Sequence, residues 1–356
     1  MRLARSSLLP ILLLTAFFWG CAEEPTGVLP SDPESVILSG EPAIGLGALR
    51  RSVPRSPCHA PPYRQFDFWV GDWDTENPSG TQVGTDRLTI GLDGCLVEES
   101  WTGAAGFRGR SLNAYDARTG QWHQSWLDVF AQHLRLAGGL EGESMVLSGD
   151  RIALSGVPIR DEITWTPLPT GVVRQFWEIT VFPPGGDPFA ITAFDGRYFP
   201  SPDFMPAPEQ SAGLCTDAAF DELDFWLGSW RVEGGNGLAL GESEVAEDLD
   251  NCLIEQVLST PKGYEAKSFL GWDPRPQAWF QTFVDSEGQW LLLSGGLVGD
   301  RMVLIGKGPG PGSSGKEVDV RVTTWADAPD RLVQTWETSK DGGASWKTEI
   351  QLVYTR

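Results

Sequence analysis

Cations, histidine and long apolar runs are all scarce in this chain. It carries 27 Lys and Arg against 48 Asp and Glu, a formal charge of −21 over 356 residues. That deficit excludes the usual nucleic-acid binders, whose affinity comes from cations that neutralise phosphates. It also excludes adhesion to anionic lipid through a basic face. There is no phosphate loop, nucleophile elbow or metal-ligand spacing, so no catalytic residue, metal or cofactor is assigned. Beyond the first 20 residues no apolar stretch is long enough to cross a bilayer as a helix. Long helical patterns are missing too. The 42 Gly and 26 Pro divide the chain into short segments that suit strands and tight turns.

The one long apolar run stands at the start. Arg2 and Arg5 precede Leu8 to Trp19, the form of an export signal over residues 1–20. The run ends Phe18-Trp19-Gly20-Cys21, which resembles a bacterial lipobox and implies lipidation of Cys21. Phe18 is bulkier than the usual residue there, so ordinary cleavage to a secreted or periplasmic form is the alternative. Residues 21–57 lack apolar periodicity and read as a disordered tether. The expected address is the cell envelope, with membrane contact through Cys21.

The rest of the chain is written twice. Gln65 to Trp73, QFDFWVGDW, returns as Glu222 to Trp230, ELDFWLGSW, 157 residues on. Without a gap, 58–150 aligns with 215–307 at about a third of the positions, a domain duplication. Residues 58–200 and 215–356 form the two copies, joined by a Pro- and Ala-rich linker at 201–214. Late in each copy the register slips, and Trp165 is matched with Trp325, Trp177 with Trp336 and Tyr198 with Tyr354. Cys58 and Cys95 are mirrored by Cys215 and Cys252 at the same offset. In an exported chain this spacing predicts one disulfide per domain.

In the first copy, strand signals recur near 82–92, 94–102, 107–116, 121–129, 132–138, 143–149, 162–167, 171–181 and 189–199, with turn residues at most breaks. Asp217 opens a short helix on which Phe220 and Leu223 share a face. The expectation is all-β: two tandem antiparallel up-and-down barrels, each behind a short helix. A β-sandwich is the alternative.

With Gly71-Asp72-Trp73 and Gly228-Ser229-Trp230 on the page, a family resemblance can be stated. Each copy resembles a large bacterial lipocalin-like family marked by FDFWxGxW. The first copy continues with its GC-x-x-x-E, S-L-N-x-Y-D and W-H-Q-x-W-x-D elements at Gly94-Cys95 with Glu98 or Glu99, Ser111 to Asp116 and Trp122 to Asp128, then W-T-P-L-P and W-E. The second copy is looser. The resemblance implies a calycin-type barrel, a structural role for Gly71, Trp73, Gly228 and Trp230, and a small-molecule pocket. In that family type a last-strand Arg packs over the GxW Trp; Arg356 can do this in the second copy, and the first copy ends without one.

The densest shared polar set is Trp122, Gln124, Trp126 and Asp128, opposite Trp279, Gln281, Phe283 and Asp285. At strand period 2 each set faces one way. Two aromatics, an amide and a carboxylate on one face could line a pocket; a filled, hydrogen-bonded core, or a turn cap at Asp128, is the other reading. The expectation is that these residues face inward near Glu98 and Glu255. His123, Ser125 and Leu127, with Phe280, Thr282 and Val284, would form a drifting, water-facing exterior. Arg110 and Lys267 share a basic position, read as solvated exterior or an anion contact. No His is common to both copies, which leaves a haem site conceivable only in the first. Ser339 to Trp346 imitates a propeller box but reads as a hairpin turn. Asp116 with Arg118, and Asp273 with Arg275, read as turn residues. The function expected is binding of a small, partly apolar ligand, with a barrel enzyme (cyclase, isomerase or hydrolase) or a structural envelope protein with filled barrels as alternatives.

Overall fold

The computed structural model describes residues 56–206, 215–309 and 317–356. The signal, Cys21, nearly all of the tether and most of the linker fall outside them. Ten strands make the first domain: β1 (Gly71–Glu76), β2 (Gln82–Gly91), β3 (Leu96–Gly103), β4 (Arg108–Asp116), β5 (Gln121–Asp128), β6 (His133–Glu141), β7 (Ser144–Ile152), β8 (Pro158–Pro167), β9 (Val173–Val181) and β10 (Phe189–Pro200). Ten more make the second: β11 (Gly228–Gly234), β12 (Ala239–Asp248), β13 (Leu253–Ser259), β14 (Glu265–Asp273), β15 (Ala278–Asp285), β16 (Trp290–Val298), β17 (Arg301–Pro309), β18 (Glu317–Ala328), β19 (Arg331–Ser339) and β20 (Lys347–Thr355). Each strand pairs with its sequence neighbours and the first closes on the last, giving two closed up-and-down barrels. Closure leaves no sheet edge unpaired, and it removes the sandwich alternative.

One end of each barrel is plugged by the segment that precedes its first strand. The plug is 3-10 helix: Pro57–His59, Pro61–Arg64 and Asp67–Trp69 in the first copy, Ala218–Trp226 in the second. Asp217 caps the latter, accepting from the Ala219 amide, and Phe220 and Leu223 are buried as expected. Phe66 packs between Trp69, Trp122 and Trp165, with ring centroids 5.0, 5.5 and 5.2 Å away. The GxW Trp then ties strand to plug. Trp73 Nε1 donates to the Trp69 carbonyl at 2.9 Å, and Trp230 Nε1 to the Trp226 carbonyl at 2.8 Å. Arg356 lies over the Trp230 ring, 4.3 Å from its centroid. Gly71 and Gly228 enter their strands at φ +152 and +118°, where a side chain would be strained.

The structure corrects one sequence match and one expected exterior. Met145 pairs with Trp165, whereas Met302 pairs with Thr324, so Thr324 is the structural counterpart of Trp165. Trp325 alternates to the outside, where Arg301 covers its ring. Identity of residue type misled the alignment by one position, and in a strand one position is the other face.

The second correction concerns the exterior of β4, β5, β14 and β15, which faces the other barrel and not water. Ser125, Leu127, Phe280, Thr282 and Val284 are buried. Equivalent residues meet across this seam. Thr282 Oγ1 donates to Ser125 Oγ at 2.7 Å; His123 stacks on Trp290, while His133 meets Phe280 edge-on. The outward set therefore changed between copies because each half complements its opposite. Both disulfides, Cys58–Cys95 and Cys215–Cys252, are buried in the same seam.

Candidate functional site

The first barrel encloses a cavity of about 310 Å³ at the end opposite its plug. Strand alternation builds it. Val83 on β2, Glu99 and Trp101 on β3, Gln124 and Trp126 on β5, Ile163 on β8 and Gln175 and Trp177 on β9 all point inward. Phe107, Phe194 and Tyr198 complete the aromatic wall. At the same end Phe130, Ile152, Leu154, Phe182, Phe189 and Ile191 stand exposed on strand ends and hairpins, an apolar rim around the mouth.

The polar floor centres on Glu99. Ser111 Oγ donates to Glu99 Oε2, and Asn113 Nδ2 donates to Ser111 Oγ at 2.9 Å. Tyr198 donates its hydroxyl proton to Gln175 Oε1. Asp86 on β2 lies in register with Trp101, diagonal to Glu99. It is fully buried, and no side chain hydrogen-bonds to its carboxylate; the neighbouring Arg87 amide offsets only part of that cost. Burial raises both acids, Glu99 to about 8 and Asp86 well above the carboxylate range, with the Glu99 charge adding to the rise at Asp86. Desolvation penalises the charged form, and a neighbouring acid penalises it again.

The second barrel, on the same plan, is filled. Its interior space is about 40 Å³, room for roughly one or two water molecules. Leu352 stands where the first barrel has Gly196, each being the partner of the central Gln on the preceding strand. Tyr264, the counterpart of Phe107, turns inward and donates to Asp285 Oδ2 at 3.1 Å. Gln256 replaces Glu99, Ser243 replaces Asp86, and Gln256 Nε2 donates to Ser243 Oγ at 3.2 Å. A roomier hollow of about 500 Å³ lies beside β11, β12 and the end of β13. Its lining is largely exposed, and no buried polar group converges on it.

The expected site residues therefore divide. Gln124 and Trp126 line the cavity. Trp122 does not; its Nε1 donates to Pro62 O and Gln65 Oε1 in the plug, as Trp279 does to Glu222. Asp128 caps the β5–β6 turn, accepting from the Phe130 and Gln132 amides at 2.9 and 3.1 Å and from Trp126 Nε1. Asp285 caps the matching turn through Glu287 and Gln289. Gln281 donates to Ser268 Oγ at 3.0 Å and braces a filled core beside Phe283.

Glu98 and Glu255 do not face inward, and this part of the expectation is corrected. They lie in the seam with Arg110 and Lys267. Lys267 Nζ reaches Glu98 at 2.7 Å and Glu255 at 2.6 Å; Arg110 pairs with Glu98 and stands 3.6 Å from Glu255. Arg110 and Lys267 are thus inter-barrel ties rather than a solvated face. The inward acid is the next residue, Glu99. The GC-x-x-x-E spacing from Cys95 falls on Glu99, one of the two acids that element offered, but the comparison of the two copies favoured Glu98 because it rewards identity, and Glu99 differs from its counterpart Gln256. The Asp116 and Asp273 carboxylates hold turns as expected, and Ser339 to Ser345 is a hydrogen-bonded hairpin turn.

No family model matches the chain, and no curated protein matches it. Among solved structures it is similar to a protein of unknown function of the DUF3598 family from Nostoc punctiforme. The two are 12% identical, with 83% of this chain and 97% of that chain covered, at a TM-score of 0.18.

Proposed function

We propose that this is an exported, lipid-anchored carrier in which the first barrel binds a small, partly apolar molecule, in the manner of a lipocalin, while the second supports it. The observation that carries the reading is the difference in volume, about 310 Å³ against about 40 Å³, between two copies of one plan. A barrel that can be filled by its own side chains, yet is not, keeps space for something else. The apolar rim supports entry of an apolar body, and the polar floor supports an oriented head group. The filled-barrel reading applies to the second domain. The address rests on the signal-like start and Cys21, and the two disulfides suit an oxidising compartment.

A neutral fluorophore such as 1-aminoanthracene should bind the whole chain with about one site. Ala193→Trp should abolish that binding without lowering the melting temperature, because Ala193 lines the mouth at a strand irregularity where the second barrel accommodates Glu349. Binding that survives this block would move the site out of the barrel. Metabolic labelling with a fatty-acid analogue should mark the wild type and not Cys21→Ser; a labelled variant removes the anchor from the reading.

A further inference from the structure

We infer that the first-barrel cavity selects a cation, an alkyl- or arylammonium whose charge sits against Glu99, with Asp86 buried behind it, and whose body lies among Trp101, Trp126 and Trp177. This deepens the carrier reading and rests on it. Three observations converge. Among the described residues no Lys, Arg or His lines the cavity, so an anionic head group would enter an acid-bearing chamber with nothing there to pair it. Two arginines of the first barrel are held elsewhere: Arg87 pairs with Asp72 on the outside, and Arg151 is held bidentate by Asp161, which also accepts from Trp177 Nε1. Finally, Asp86 is fully buried behind Glu99 with no side-chain partner on its carboxylate, a state that costs free energy and that a cation held at Glu99 would relieve.

The second barrel is an internal control. Where the cavity is lost, both acids are lost with it, replaced by Ser243 and Gln256, which bond to each other. If the acids served only the barrel's architecture, the filled copy would have equal need of them. The indole walls add to the case, since an aromatic face attracts a cation and a weakly hydrated ammonium loses little on leaving water. The groups facing Glu99 are Asp86 from β2, Ser111 from β4 and Tyr198 from β10. None is a cation, so a bound ammonium would be the charge that lets Glu99 ionise.

The test is displacement of 1-aminoanthracene from the whole chain by three probes of one shape: benzyltrimethylammonium, its uncharged isostere neopentylbenzene, and benzylsulfonate. The ammonium should win over the isostere by about tenfold or more, and the sulfonate should not compete. Because this ammonium cannot lose a proton, its affinity should rise between about pH 6 and about pH 9 as Glu99 ionises. Glu99→Gln should bring the ammonium and the isostere together, and Asp86→Asn should narrow the gap; melting curves report whether each variant folds. An isostere that binds as well as the ammonium, or a preference that persists in both folded variants, overturns the inference while the carrier reading stands. A fluorophore that never binds removes both.

Discussion

Glu99 and Gln124 share a wall yet answer to different forces. Glu99 has a folded-state pKa raised to about 8 by burial. The folded protein therefore holds a proton that the unfolded chain releases near the ordinary carboxylate value. Stability should fall as pH rises from that value through about 8, and the penalty is complete above it. Asp285, raised to about 7 in the second barrel, acts with the same sign. In urea unfolding at several pH values, Glu99→Gln should flatten the decline without abolishing it, by a few kcal/mol at most. A steeper decline in the variant would contradict the burial argument. Gln124 and Gln281 make a paired experiment. Gln281→Leu leaves Ser268 without its donor in a filled core and should cost about 1–3 kcal/mol, whereas Gln124→Leu should chiefly weaken ligand binding. Equal melting losses in both would assign Gln124 to bracing alone.

At the scale of elements, the strands were readable because alternation and turn residues repeat, and because the second copy confirmed the first. The observed β2 to β10 follow the expected segments closely, with β8 starting earlier, at Pro158. The plug was readable from Asp217 and its apolar spacing. What could not be read was which outward face is covered. Period 2 separates two faces of a strand and does not say whether the outer one meets water or another domain. Hence Ser125 and Thr282 looked like surface and are core, and Glu98 looked like lining and is seam. The open or filled state was equally hidden, since it turns on single residues such as Gly196 and Leu352. The disulfides, by contrast, follow from spacing alone. Each closes a loop of 37 residues between plug and β2–β3 or β12–β13 turn. Replacing Cys58 and Cys95 together by Ala should lower stability by about 3–4 kcal/mol in denaturant titrations. Non-reducing peptide maps should show these two links and no link between barrels.

Across the whole molecule the barrels share one buried seam and should therefore unfold together. Arg110, Lys267, Glu98 and Glu255 alternate in sign, each mostly buried, with Asp248 also held by Arg110. Lys267→Met would leave Arg110 alone between Glu98 and Glu255 and should cost about 1–3 kcal/mol, discounted from a fully buried pair because some solvent reaches the cluster. Fluorophore affinity should hardly change, since the cluster lies outside the barrel, and unfolding should stay a single transition. Two separated transitions in the wild type would mean that the barrels stand alone.

The mirrored contacts of the seam, with Ser125 against Thr282, and His123 against Trp290 where the counterpart Phe280 lies against His133, have the form of a self-complementary dimer interface. In a true dimer of identical subunits, any substitution that closes one chamber closes both. Joining the halves in one chain lifts that restriction. One half can become rigid ballast while the other keeps its room, and the two remain mated through surfaces that neither can alter without the other.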